Sequence, residues 1–254
     1  MSDPGHPPVS AGNGPHAVIV SHGQPSDPAP PEAALAALAA AVATHLPGWT
    51  VRSATLAQPG ALAAACAGAD RPVVYPLFMA DGWFTQTHLP ARLAEAGAQA
   101  PRVLSPFGLD PAVQDLATRL VREALARGLG HEGVLLAAHG SFRSPAPAAV
   151  ARIVAGRIAA ETGLAPVAPA FIDQDPRIAE AARDFGPGSI CLPFFAAAGD
   201  HVTSDLPRAL AEAGFRGQVL PALGLDRRVP LLIAQALRAG ASAPSATDGV
   251  VSAG

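Results

Sequence analysis

Short apolar runs alternate with helical periodicity along the sequence. Residues 16–23, HAVIVSHG, form an apolar run that ends in a glycine turn, and residues 32–46 follow with good helix formers. The same alternation predicts three more strands, at 49–56, 71–80 and 101–108, and three more helices, at 59–68, 87–97 and 111–127. Strands separated by helices indicate βαβ units and a parallel sheet covered by helices on both faces.

The pattern then repeats, because a shift of 117 residues places the first half of the chain on the second. His22-Gly23 falls on His139-Gly140, and residues 89–97 fall on 206–214 with seven identities in nine positions. We therefore predict an internal duplication of two tandem flavodoxin-like α/β domains with parallel sheets and a cleft between them.

The duplication also sets the predicted domain boundaries. The domains span 16–128 and 133–239, and the tails 1–15 and 240–254 are rich in Gly, Pro, Ser and Ala and are expected to be disordered.

Composition narrows the function classes. The chain has 254 residues, 50% of them hydrophobic, and a net charge of −3 with few aromatic residues, which argues against a nucleic-acid partner. All 17 basic residues are arginine, so an anion would be held by arginine forks or backbone amides. No signal peptide or membrane-spanning run is visible, and a cytoplasmic protein is expected. No GxGxxG motif follows the first strand of either half, which argues against a dinucleotide site, and GxSxG is absent.

Two of the eight histidines stand at equivalent strand ends. His22 and His139 each end the first strand of a half. At this position a histidine is either a hydrogen-bonded structural residue or a functional one. His201 follows the third strand of the second half. Because the first and third strands are neighbours in a flavodoxin-like order, His139 and His201 are expected to converge at the carboxyl edge of the sheet. Two imidazoles suit a weakly held divalent metal such as cobalt or iron.

The first half does not repeat this pair. Phe84 stands where the second half has His201, and His88 lies four residues further on. A His22–His88 pair remains an alternative, but we expect that one half kept a working site and the other became a wall of it. Asp173 and Asp175 end the second strand of the second half, either in a solvated turn or as a proton acceptor beside the metal site.

At this point the chain resembles the class II tetrapyrrole chelatases, specifically the long CbiX-type sirohydrochlorin cobaltochelatases, with SirB-type ferrochelatases as relatives. The resemblance covers nearly all of residues 16–238 and rests on His139-Gly140-Ser141 and on the segment 192–202, LPFFAAAGDHV. It implies insertion of Co²⁺, or less favoured Fe²⁺, into sirohydrochlorin or a related tetrapyrrole, in cobalamin or sirohaem biosynthesis. The metal would be a substrate, and no tightly bound cofactor is expected.

The resemblance also implies roles for single residues. His139 and His201 would bind the metal, and with Asp173, which stands where the family has a glutamate, they would assist pyrrole deprotonation. Contacts with the macrocycle are expected from Gly140, Ser141, Arg143, Phe195, Gly199, Asp200 and His22. Arg143 would meet a substrate carboxylate, although it could equally be a solvated surface arginine. A monomer or homodimer is expected, and the alternative function is a non-catalytic metal or tetrapyrrole carrier of the same fold.

Overall fold

The computed structural model describes residues 14–243. It contains two four-stranded parallel sheets, with strand orders β2-β1-β3-β4 and β6-β5-β7-β8. The strands are β1 (His16–Ser21), β2 (Thr50–Thr55), β3 (Val73–Pro76), β4 (Arg102–Val103), β5 (Val134–Ala138), β6 (Val167–Phe171), β7 (Ile190–Pro193) and β8 (Gln218–Val219). The helices are α1 (Ala29–Ala43), α2 (Ala61–Cys66), α3 (Leu89–Glu95), α4 (Pro111–Ala126), α5 (Ala146–Thr162), α6 (Ile178–Ala181), α7 (Leu206–Ala213) and α8 (Val229–Ser242).

The central strands are apolar on both faces because helices cover both sides of each sheet. Residues 17–20 of β1 and 134–138 of β5 are all buried, as continuous hydrophobic runs of parallel sheets usually are. β1 pairs with β3, and β5 pairs with β7. This confirms the predicted neighbourhood of the first and third strands, and with it the two-domain α/β fold.

Each half also carries one turn of π-helix between its third strand and the next helix, at Phe84–His88 and His201–Asp205. The two turns stand at equivalent positions of the repeat. Such π turns occur often at functional sites. The loop between the third strand and the following helix therefore has the same unusual backbone in both halves.

The last helix of each half packs largely on the other half. Helix α8 contacts α1 and β3 of the first half, and α4 contacts α5 and β7 of the second. One hydrophobic cluster consequently runs through both halves, from Ile19 and Tyr75 to Leu136 and Ile233. Two smaller clusters cover the opposite sheet faces, each within a single half.

The end of the last helix differs from the predicted start of the C-terminal tail. Helix α8 continues to Ser242, so residues 240–242 belong to the last helix and not to the predicted C-terminal tail. Residues 1–13 and 244–254, which make up most of the two predicted tails, lie outside the described residues. None of the described helices is long and apolar enough to cross a lipid bilayer.

Candidate functional site

His139 stands directly after β5, at the carboxyl edge of the second sheet. Its side chain is half-buried, and the next residue, Gly140, turns the chain with a φ of +73°. A Cβ atom on Gly140 would lie 2.6 Å from Gln174 Cγ and 2.8 Å from Phe171 Cβ. Only glycine fits this turn without strain, and the turn sets the direction of the His139 loop.

His201 approaches His139 from the loop after β7. It is the first residue of the π turn His201–Asp205. The two Nε2 atoms lie 2.9 Å apart, and the rings meet edge to face with centroids 4.4 Å apart. The structure thus brings together the two histidines that the sequence predicted to converge.

The other nitrogen of each ring fixes its tautomer. Nδ1 of His139 lies 2.9 Å from the carbonyl oxygen of Gly140, and Nδ1 of His201 lies 2.8 Å from Oδ2 of Asp205. Carbonyl and carboxylate oxygens only accept hydrogen bonds, so each Nδ1 carries the hydrogen. In neutral rings both Nε2 atoms then point lone pairs at each other. Two lone pairs facing each other at 2.9 Å form a donor set that a proton or a metal ion could bridge.

Asp205 is the site residue that the sequence reasoning missed. Its Oδ1 accepts a hydrogen bond of 2.7 Å from Arg208, while Oδ2 faces His201. The hydrogen bond with His201 lowers the pKa of the Asp205 carboxyl, which favours the carboxylate. The signal was present in the sequence, because His201 and Asp205 are four residues apart and such residues share one face of a helix.

Asp173 lies on the other side of His139. Its Oδ2 atom is 3.6 Å from His139 Nδ1, and its backbone N–H donates to the His139 carbonyl oxygen at 2.9 Å. Asp175 lies elsewhere, with a side chain that is 91% exposed and that faces Arg177. Of the two acids predicted at this strand end, Asp173 is therefore the one beside the histidine pair.

The remaining residues predicted to contact the macrocycle differ in exposure and in hydrogen bonding. The Ser141 N–H donates to Gln174 Oε1 at 2.8 Å, and Arg143 is exposed in the same loop. Phe195 is only 6% exposed, so its contact with substrate stays a prediction. The carbonyl oxygen of Gly199 accepts from the backbone at the start of the π turn.

Asp200 connects the two halves at this edge. Its Oδ2 atom accepts a 3.1 Å hydrogen bond from Nε2 of Gln24, two residues after His22. The loop after β1 and the loop after β7 therefore meet beside His201, and the carboxyl edge of the first sheet adjoins the histidine pair.

The equivalent position in the first half is aromatic. The ring of Phe84 lies edge-on to both His22 and His88, at centroid distances of 4.7 and 5.7 Å. Burial, with a smaller effect of His88, lowers the pKa of His22. Phe84 stands at the position equivalent to His201 and contacts both rings, and the alternative His22–His88 metal pair stays a prediction. Across residues 14–243 there is also no group of three or more His, Cys, Asp or Glu side chains arranged for a metal ion.

Comparisons with known proteins identify the family of the chain. The CbiX family model matches residues 16–124 and 133–239. A solved structure of CbiX, described as the terminal enzyme for biosynthesis of siroheme in denitrifying bacteria, is 49% identical, with a TM-score of 0.80 and coverage of 88% of this chain and 98% of that one. A comparison with curated proteins gave no match.

Two structures of SirB share the fold at lower identity. SirB from Bacillus subtilis with Fe³⁺ is 16% identical (TM-score 0.73), with coverage of 90% of this chain and 96% of that one. The sirohydrochlorin chelatase SirB from Bacillus subtilis subspecies spizizenii with cobalt is 18% identical (TM-score 0.66), with coverage of 91% and 97%. With both repeats matched by the family model, the chain belongs to the CbiX family of class II chelatases.

Proposed function

We propose that this protein inserts a divalent metal ion into sirohydrochlorin or a closely related tetrapyrrole. The observation that carries the proposal is the pair of Nε2 atoms 2.9 Å apart, with both Nδ1 atoms engaged by oxygen acceptors. Two neutral imidazoles bind a borderline divalent metal and leave most of its coordination positions open. Such a site holds the metal loosely enough to release it to a stronger ligand, and the metal is then a substrate.

The chemistry requires proton acceptors as well as metal ligands. When a divalent ion enters the macrocycle, two pyrrole N–H bonds break and two protons must leave. Asp173, 3.6 Å from His139, can accept one proton directly or through the His139 imidazole, and Nε2 of His201 can accept the other once the metal has left it. Asp205 keeps the Nδ1–H of His201 in place, so that its Nε2 stays available to the metal.

The proposed function also includes the identity of the inserted metal. The resemblance to CbiX-type chelatases implied Co²⁺ ahead of Fe²⁺, and imidazole ligands accept both ions. The relative at 49% identity is described as the terminal enzyme of siroheme biosynthesis, and sirohaem contains iron. We therefore propose that Fe²⁺ is inserted as well as Co²⁺, and that the two rates should be measured side by side.

The test is an anaerobic absorbance assay with purified protein, sirohydrochlorin and Co²⁺ or Fe²⁺ in separate reactions. We expect the macrocycle spectrum to change to that of the metal complex faster than in a matched reaction without protein. No acceleration with either metal would refute the enzyme proposal. Binding of metal or macrocycle without acceleration would instead identify the carrier that the sequence left as the alternative.

A further inference from the structure

The carboxyl edge of the first sheet carries an aromatic patch, formed by His22, Trp83, Phe84 and His88. Trp83 stacks on His88, with centroids 4.8 Å apart and an interplanar angle of 18°. Phe84 meets Trp83 edge to face at 5.1 Å and His22 at 4.7 Å. The four rings therefore form one connected surface.

The aromatic patch occupies the place in the first half that the metal site occupies in the second. The shift of 117 residues superposes His22 on His139, Phe84 on His201 and His88 on Asp205. Both positions have the same π turn between the third strand and the next helix. The backbone is thus duplicated, while metal-binding side chains in one half are replaced by aromatic ones in the other.

The aromatic patch is exposed, although its rings could pack inward. Trp83 is 60% exposed and Phe84 is 37% exposed. The hydrogen bond from Gln24 to Asp200 brings the His22 loop against the residue that precedes His201. An exposed apolar surface of this kind marks a binding site more often than a packing defect, and this one adjoins the histidine pair.

The chemistry of the aromatic patch is that of a stacking surface. It contains no carboxylate and no arginine, and burial lowers the pKa of His22, which favours the neutral imidazole. Flat conjugated ligands bind such surfaces through their ring faces. Arg143, in the His139 loop, is an exposed cation suited to carboxylates at the edge of such a ligand.

We propose that the aromatic patch binds one face of the tetrapyrrole substrate, with Trp83 as the main stacking residue. This inference rests on the proposed function and assigns the two halves different substrates. The second half holds the metal, and the first half holds the macrocycle beside it. The patch then accounts for a duplicated site in which one copy has lost its metal ligands and kept its backbone.

The test measures macrocycle binding without metal. Sirohydrochlorin is titrated into the protein and its own fluorescence gives the Kd for the wild type, Trp83→Ala, Trp83→Leu and Trp83→Phe. We expect the Kd to rise about tenfold for the Ala and Leu variants and about two- to threefold for Phe, which keeps an aromatic face. Co²⁺ affinity, measured by calorimetry in the absence of macrocycle, should be unchanged in all three.

Ile153→Ala is the matched control, because Ile153 is a 56% exposed apolar side chain on α5 outside both sites. Its Kd for sirohydrochlorin should equal that of the wild type. If Trp83→Leu binds the macrocycle as tightly as Trp83→Phe or the wild type, stacking on Trp83 is refuted while metal insertion by the wild type stands. A wild type that binds no macrocycle at all would overturn this inference and the proposed function together.

Discussion

The Nδ1 atom of His201 and the Oδ2 atom of Asp205 lie 2.8 Å apart within a single π turn. The hydrogen bond assigns the proton of His201 to Nδ1 and leaves Nε2 free to face His139. It also holds the ring in one orientation, while the contact of Asp205 with Arg208 is an exposed one. The carboxylate therefore keeps Nε2 of His201 free of a proton, and it does so from the opposite side of the ring.

Asp205→Asn should lower metal insertion by about 10- to 100-fold, the usual cost of losing an outer partner of a ligating histidine. The amide is neutral and can present its NH₂ to Nδ1, which stabilises the wrong tautomer. Metal affinity by calorimetry and initial insertion rates check the prediction, and Asp205→Glu should restore part of both. Arg208→Ala, which removes an exposed ion pair, should change them by less than about threefold.

His139→Ala and His201→Ala should each abolish metal insertion, because either change leaves a single imidazole at the site. His22→Ala should have a mild effect, since Phe84 lies where a second ligand would be required. Initial rates at saturating metal, with macrocycle concentration varied, distinguish these outcomes. If His22→Ala lost as much insertion activity as His139→Ala, the assignment of the metal site to the second half would be wrong.

Gly140→Ala should destabilise the fold by about 1–3 kcal/mol, because alanine at this positive φ is strained and its Cβ would collide with Gln174 and Phe171. The His139 loop should shift with it, so insertion activity should fall as well. Gly156→Ala is the control in helix α5, where a Cβ meets open space. The free energy of unfolding of Gly156→Ala, measured in urea, should rise by up to about 1 kcal/mol. An equal loss of stability in both variants would contradict the prediction.

Much of the architecture could be predicted from the sequence, because the internal repeat and the apolar periodicity indicate the same strands and helices. The strand-end position of His139 and the neighbouring first and third strands were enough to predict its convergence with His201. The four-residue spacing of His201 and Asp205 is compatible with a contact, but this spacing is too common in helices to single out Asp205, and the equivalent residue of the first half is His88.

The exchange of helices between the halves could not be predicted. Apolar positions show which face of α4 or α8 is buried, but they do not show which sheet covers that face. Arg102 Nη1 donates to the Gly240 carbonyl oxygen at 2.7 Å, and Arg238 donates to the carbonyl oxygen of His45. These polar contacts join residues far apart in the chain, and only the folded structure shows that they meet.

The free energy of unfolding should depend on pH through the Arg228–Glu123 ion pair, which joins α4 to the start of α8. Arg228 donates to both carboxylate oxygens of Glu123, at 2.6 and 3.0 Å, and this lowers the pKa of Glu123. A lowered folded pKa stabilises the protein above the unfolded value of about 4.3, and the contribution is lost as pH falls through the folded value. Glu123→Gln should therefore cost up to about 1 kcal/mol at about pH 7 and less at about pH 3, below the unfolded value.

Urea unfolding of the wild type and Glu123→Gln at both pH values tests this dependence. Glu95→Gln is the control, because Glu95 forms an exposed ion pair with Arg92 within one helix region, and its loss should cost little at either pH. A stability difference for Glu123→Gln that is equal at the two pH values would show that the carboxylate charge is not the cause.

Leu237→Ala should weaken the first half of the chain, although the residue belongs to the second. Leu237 is fully buried on α8, which packs on α1 and β3. The cavity should cost about 2–5 kcal/mol in urea unfolding. Leu231→Ala, at a 40% exposed position of the same helix, should cost less than about 1 kcal/mol.

Hydrogen exchange locates the loss. Because the shared cluster joins both sheets, the amides of β3 should exchange faster in Leu237→Ala than in Leu231→Ala. Faster exchange confined to the second sheet, with β3 as protected as in the wild type, would show that α8 stabilises only its own half. Faster exchange in both sheets would show that the two repeats open as one cooperative unit, as expected when the last helix of each repeat completes the core of the other.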